Sequence, residues 1–156
     1  MIIRFAIFVC TFSYVGYSPI APGTVGSLAG LAVYGALRWA GASAAVDAAL
    51  IVALFILGVW SGTHAERYFG GTDPGPGVID EVVGMLITLF YVSPGWMAAT
   101  LGFLVFRILD VLKPYPANRL ERLHGGLGMM ADDAMAAVYS NVIVQMIIWI
   151  AAASLQ

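Results

Sequence analysis

The sequence predicts an all-α fold: one compact polytopic bundle of membrane helices, with polar loops and an acidic site on the cytoplasmic face. Three observations carry that expectation. Of the 156 residues, 61% are hydrophobic and only 10% charged, with a mean hydropathy of +0.91. A soluble domain of this size needs about a quarter charged residues to solvate its surface. The apolar residues fall in long runs broken by Pro- and Gly-rich stretches, as in a polytopic chain. The few charges gather at the ends of those runs. Residues 1–156 read as a single domain.

Ile2 to Tyr17 is apolar but shorter than the roughly 20 residues of a full span. Met1 to Arg4 followed by the apolar Phe5 to Tyr17 imitates a signal peptide, but Ser18 to Thr24 reads as part of the working protein, so cleavage is not expected. Two prolines and a glycine make Ser18 to Thr24 irregular, and Gly23 or Thr24 caps a helix running to about Trp39. Gly26 and Gly30, four apart, offer that helix a close-packing face. Asp47 to Gly62 is a clean span, followed by a polar loop from Thr63 to Gly77 with His64, Glu66, Arg67 and Asp73. Val78 to Val92 is a helix headed by Asp80 and Glu81, and Ser93-Pro94-Gly95 is a turn. Trp96 to Leu112 carries Arg107 and Asp110, and Lys113-Pro114-Tyr115-Pro116 stops it. Arg119 to Gly128 is polar, and a last apolar run extends from about Met129 to Ala153, with Asp132-Asp133 near its mouth.

Threading these runs through a bilayer puts Asp73, Asp80, Glu81, Asp110, Asp132 and Asp133 on one side. Arg67, Arg107, Lys113, Arg119 and Arg122 join them, and the positive-inside bias makes that side cytoplasmic. Burying a lone carboxylate costs several kcal/mol or forces it to take up a proton. Convergent acids in a membrane chain therefore mark a site.

Carboxylates at this density suit a hard, oxygen-seeking cation, and Mg²⁺ is the expected cofactor. Asp80, Glu81, Asp132 and Asp133 are the candidate metal ligands, and with Asp110 they make up the candidate catalytic set. One cysteine and two separated histidines give no zinc ligand pattern. His64 and His124 read as hydrogen-bonding residues of polar segments. Mg²⁺ commonly serves phosphate chemistry. Arg107 and Lys113 are candidate phosphate partners, as is the helix start at Thr24. Asp110 and Lys113, three apart, can lie on neighbouring positions of one helix face.

Covalent phosphatase devices are missing. Gly16 stands where a Cys-x5-Arg loop starting at Cys10 needs arginine, and there is no Asp-x-Asp nucleophile or Walker lysine loop. The acid spacing also fails the CDP-alcohol transferase pattern. Metal-activated water is what remains. Cys10 alone forms no internal disulfide, and no basic, aromatic-rich array supports a nucleic-acid partner. A small cation-coupled transporter using the same carboxylates is the alternative. Such a protein needs an ionisable group near mid-membrane. Leu50 to Gly58, Leu86 to Phe90 and Val142 to Ile148 carry none, although Asn141 and Gln145 are polar.

Four blocks resemble the phosphatidylglycerophosphatase A family, in its order and across nearly the whole chain. They are Ser18-Pro19-Ile20-Ala21-Pro22-Gly23-Thr24-Val25-Gly26-Ser27, Asp80-Glu81-Val82-Val83-Gly84-Met85, the stretch from Phe106 to Pro116, and the stretch from Gly125 to Asp133. The chain departs mildly at Tyr115, where tryptophan is common, at Glu121, where aspartate is common, and at Ala136-Ala137, where an alanine-glycine pair is usual. No acid is lost. The resemblance implies a multi-pass inner-membrane, Mg²⁺-dependent lipid phosphatase that converts phosphatidylglycerophosphate to phosphatidylglycerol and phosphate. Its partner is then a phospholipid substrate, with no obligatory protein partner inferred.

Overall fold

A computed structural model describes residues 1–71 and 74–154. Asp73 lies outside them. Among the described residues the fold is all-helical, with seven α-helices and a 3-10 turn at Val15–Tyr17. The helices are α1 (Ile2–Cys10), α2 (Pro22–Trp39), α3 (Ala44–Phe69), α4 (Ile79–Thr88), α5 (Trp96–Leu112), α6 (Ala117–Leu120) and α7 (Gly126–Ala153).

The core is α4. Every residue of it except Glu81 and Ile87 is buried, and it packs against α2, α3, α5 and α7. Glycines let the neighbours approach. A Cβ on Gly30 of α2 would sit 2.8 Å from the Val82 carbonyl oxygen, and one on Gly26 would sit 2.7 Å from Val78 Cβ. The Gly26-x-x-x-Gly30 stripe is therefore the α2–α4 contact. Gly84 faces the Phe106 ring of α5, and Gly102 of α5 faces Leu89.

Two helices, α3 and α7, are long and apolar enough to cross a membrane. At 1.5 Å per residue they extend about 39 and 42 Å. Only 17% and 22% of their apolar windows are buried. The core helix of a soluble protein would be mostly buried, whereas here Val52, Ile56 and Leu57 of α3 point outward, as do Val142, Met146 and Trp149 of α7. Outward apolar faces of this length suit lipid.

Several expected boundaries are corrected. Pro22 begins α2, because its fixed φ and missing N–H suit the first helical position. α3 runs to Phe69 and absorbs His64, Glu66 and Arg67, which were expected in a loop. Its polar residues occupy the last turns, and Gly70 (φ 80°) ends it in the left-handed conformation. α4 stops at Thr88 instead of continuing to Val92. At about 15 Å it is a core helix too short to cross a bilayer by itself. α7 begins at Gly126, three residues before the expected start, and α6 is a single turn in the polar stretch. Residues 2–17 form a nine-residue helix packed on α3, then a tight turn.

Candidate active site

α4 and α7 each deliver acids at the same end of the bundle. Asp80 and Glu81 occupy the first turn of α4, and Asp132 and Asp133 lie about two turns into α7. Asp80, Asp132 and Asp133 are buried, with at most 6% of their surface exposed. Carboxylate oxygens of Asp80, Glu81 and Asp133 all lie within 4.8 Å of one another. Glu81 Oε2 is excluded from solvent and accepts no hydrogen bond. Asp110, from α5, lies near enough to Asp133 for the two carboxyl groups to act on each other electrostatically. Like charges this close in a poorly solvated site cannot all stay ionised without a proton or a cation between them. The orphaned oxygen and the all-oxygen donor set fit a hard divalent cation.

Cations flank the acids. Arg107 Nη1 donates to Asp110 Oδ2 at 2.6 Å, one turn along α5. The same nitrogen reaches Ser27 Oγ at 3.4 Å. A Cβ on Gly23 would meet the Arg107 nitrogens at 3.2 and 3.3 Å and would crowd Glu81 Oε1. The first turn of α2 therefore lies against both the acid group and Arg107. The Val25 N–H is the first in α2 to reach a carbonyl four residues back, donating to Ala21 O at 3.1 Å. The N–H groups of Gly23 and Thr24 thus have no intrahelical carbonyl to bind. Thr24 is half-buried beside them.

Lys113 caps the end of α5 in the left-handed conformation (φ 43°). Its Nζ donates to Asp132 Oδ2 at 2.8 Å and to Glu121 Oε1 at 2.9 Å. Asp110 and Lys113, neighbours by spacing, each take other partners: Asp110 pairs with Arg107, and Lys113 with Asp132 and Glu121. Burial opposes the lysine's charge, but the bonds to Asp132 and Glu121 outweigh it and raise its pKa above the ordinary lysine value.

The structure thus gathers Asp80, Glu81, Asp110, Asp132, Asp133, Arg107, Lys113 and the α2 start around one end of the bundle. Asp132 differs from the other acids in facing Lys113, and it is not in the group of three. His64 stays on α3, its Nδ1 2.9 Å from the Trp60 carbonyl oxygen, and His124 is exposed. The helix start at Gly23 and Thr24 was expected beside the site, whereas Ser27 and Glu121 were not singled out as its neighbours. Ser27 was marked only as the end of the first family-like block, and Glu121 only by the polar stretch before α7.

Fold and site define a helical membrane protein with a carboxylate centre enclosed by cations. Residues 8–148 match the family model for Phosphatidylglycerophosphatase A. The chain belongs to that family and is a phosphatase. It is 40% identical over 131 residues to Phosphatidylglycerophosphatase A of Escherichia coli K12, covering 80% of this chain and 73% of that protein. It is 35% identical over 126 residues to the Haemophilus influenzae Rd protein of the same name, covering 80% and 77%. It is also 35% identical over 142 residues to a Bacteroides thetaiotaomicron protein provisionally named a phosphatidylinositol-3-phosphatase, covering 86% and 88%. No solved structure matches the chain. Family membership sets the transporter alternative aside.

Proposed function

We propose that the protein hydrolyses phosphatidylglycerophosphate to phosphatidylglycerol and phosphate in the cytoplasmic membrane, with Mg²⁺ as cofactor and the site facing the cytoplasm. The approach of Asp80, Glu81 and Asp133 within 4.8 Å, beside Arg107 and Lys113, carries this reading. Those three carboxylates would hold the cation. When bound, Mg²⁺ supplies Lewis-acid polarisation of a phosphoryl oxygen and makes a nucleophile available at neutral pH.

The remaining residues position the phosphate. Lys113 and Arg107 attract it, and the Gly23 and Thr24 amides offer donors at a positive helix end. Asp110 fixes the guanidinium of Arg107, and Asp132 with Glu121 fixes the ammonium of Lys113. A groove of about 510 Å³ beside Lys113, lined by Leu109, Pro114, Val138, Tyr139, Val142 and Ile143, suits an acyl chain.

The test is phosphate release by the purified protein in mixed micelles, with and without Mg²⁺. Phosphatidylglycerophosphate should be turned over only with the metal. Phosphatidylinositol 3-phosphate, offered in parallel because of the Bacteroides relative's name, should be the poorer substrate. The reverse preference would move the assignment to the inositol lipid, and equal turnover in excess EDTA would remove the metal.

A further inference from the structure

Asn141 lies mid-way along α7, in the membrane-length apolar run, well away from the acids. Its side-chain amide donates to three backbone carbonyls at the end of α4: Ile87 at 3.2 Å, Thr88 at 3.0 Å and Phe90 at 2.7 Å. Gln145 Nε2, one turn on, donates to Asn141 Oδ1 at 2.8 Å and holds the amide in that orientation. The last carbonyls of any helix lack intrahelical partners. Those of α4 end beside buried Thr88, Leu89 and Val92, and apart from the Phe90 N–H bond to Ile87 O at 3.1 Å the Asn141 amide serves them.

The position of this bond along the helices gives it a consequence for the site. Asn141 stands eight residues beyond Asp133 on α7, and Thr88 stands eight beyond Asp80 on α4. Eight helical residues rise about 12 Å. The two helices therefore run parallel between two fixed levels, with carboxylates meeting at one and the amide meeting the carbonyls at the other. Between the levels the contacts are Met85, Leu86 and Leu89 against Ala136 and Ala137, apolar surfaces with no polar register mark of their own. We propose that Asn141 is a positioning residue that pins the register of α4 against α7, and so sets the spacing of Asp80 and Glu81 from Asp133. The inference rests on the metal role proposed above only in its consequence for cation affinity.

Two measurements on the full-length protein in detergent test it, one of them independent of metal. The first is thermal stabilisation by Mg²⁺ alone. Asn141→Leu should raise the half-saturating Mg²⁺ concentration by about tenfold, the cost usual for losing a group that orients metal ligands. Val144→Ala, which opens a cavity on α7 without touching the α4 carbonyls, should lower Tm and leave that concentration unchanged. The second is disulfide formation between Asp80→Cys and Asp133→Cys in a Cys10→Ala background, read as a cross-linking rate. Adding Asn141→Leu should slow it several-fold, Asn141→Ser, which keeps one donor, should slow it less, and Val144→Ala should not slow it. An unchanged cross-linking rate in both Asn141 variants, or equal slowing by Val144→Ala, would overturn the register role. Absence of Mg²⁺ stabilisation in the unmutated protein would count against the metal reading alone, and cross-linking would still decide the register.

Discussion

Lys113 Nζ donates to Asp132 Oδ2 at 2.8 Å, tying the end of α5 to α7 across 19 residues of sequence. A surface pair of this kind contributes little, but Asp132 is only 3% exposed, so this carboxylate depends on the lysine. Lys113→Met should therefore lower kcat/KM by about 2–4 kcal/mol of transition-state stabilisation, as removal of a preorganised donor does. Lys113→Arg should also impair turnover, since a planar fork does not replace a compact ammonium held by two carboxylates. Steady-state kinetics across a Mg²⁺ titration decide the origin of the loss. It should persist at saturating metal, and full rescue would make Lys113 an accessory to metal binding.

The same pair predicts a pH dependence. The folded-state pKa of Lys113 is raised, so its contribution is fully present below the unfolded lysine value and is lost only as pH rises through the folded one. Activity should show no alkaline limb at the ordinary lysine pKa of about 10.4. Asp132→Asn removes the stronger partner and should bring such a limb down into the measurable range. A lysine-like limb in the unmutated enzyme would contradict the ion-pair geometry.

The acids were legible in the sequence because charge in so apolar a chain needs a reason, and adjacent pairs stand out at the mouths of apolar runs. Their convergence followed from alternating runs. The end of α4 was not legible: Leu89, Phe90 and Val92 continue the apolar pattern past Thr88. Past Thr88 the chain turns, with Tyr91 at positive φ and the Phe90 carbonyl taken by an amide 51 residues further on, and neither leaves a mark in hydropathy. The extension of α3 was hidden for the opposite reason. His64, Glu66 and Arg67 look like loop residues, although Gly70 marked the true stop. Which acid meets which cation depends on how α5, α6 and α7 pack together, a tertiary matter that spacing does not encode.

Crowded carboxylates without a counter-ion repel, so the acid group should weaken the metal-free fold while serving the loaded one. Asp80→Asn and Asp133→Asn keep the shape and remove a charge. In EDTA each should melt at or above the temperature of the parent protein. Each should lose Mg²⁺-dependent stabilisation, and turnover should fall roughly a hundredfold or more, the several kcal/mol a metal supplies. Melting curves with and without Mg²⁺ check both signs. A lower Tm in EDTA would mean that the acids are structural hydrogen-bonding groups.

Two glycines of α2 should respond oppositely to alanine. Gly35 has nothing within 4 Å of its would-be Cβ, so Gly35→Ala should gain about 0.5–1 kcal/mol from backbone entropy alone. Gly30→Ala would press a methyl against the Val82 backbone and Met85 Cβ, and should cost about 1–3 kcal/mol by overpacking. Denaturation in mild detergent reads the difference. Equal effects would mean that α2 does not hold α4 through its glycine stripe.

The two ends of the bundle differ in a way that fixes their expected sides of the membrane. The acid end of the bundle carries Arg119 and Arg122, both exposed, around the single-turn α6. The opposite end, at the α2–α3 and α4–α5 turns, presents Trp39 at 92% exposed, Tyr91 at 74% and Trp96 at 78%. Amphipathic rings of this kind settle at a membrane–water boundary, and basic residues collect on the cytoplasmic side. The two ends should therefore sit at opposite faces of the bilayer, with the acids inside. In a Cys10→Ala background, Arg119→Cys should react with an impermeant maleimide only after the cells are opened. Pro94→Cys, in the turn between Tyr91 and Trp96, should react in intact spheroplasts. Because α4 is too short to cross alone, this experiment also asks whether α4 and the residues up to Pro94 together bring the chain to the far face. Labelling of both positions from the same side would refute the threading. Labelling with the two sides exchanged would turn the acid site outward and overturn the cytoplasmic assignment.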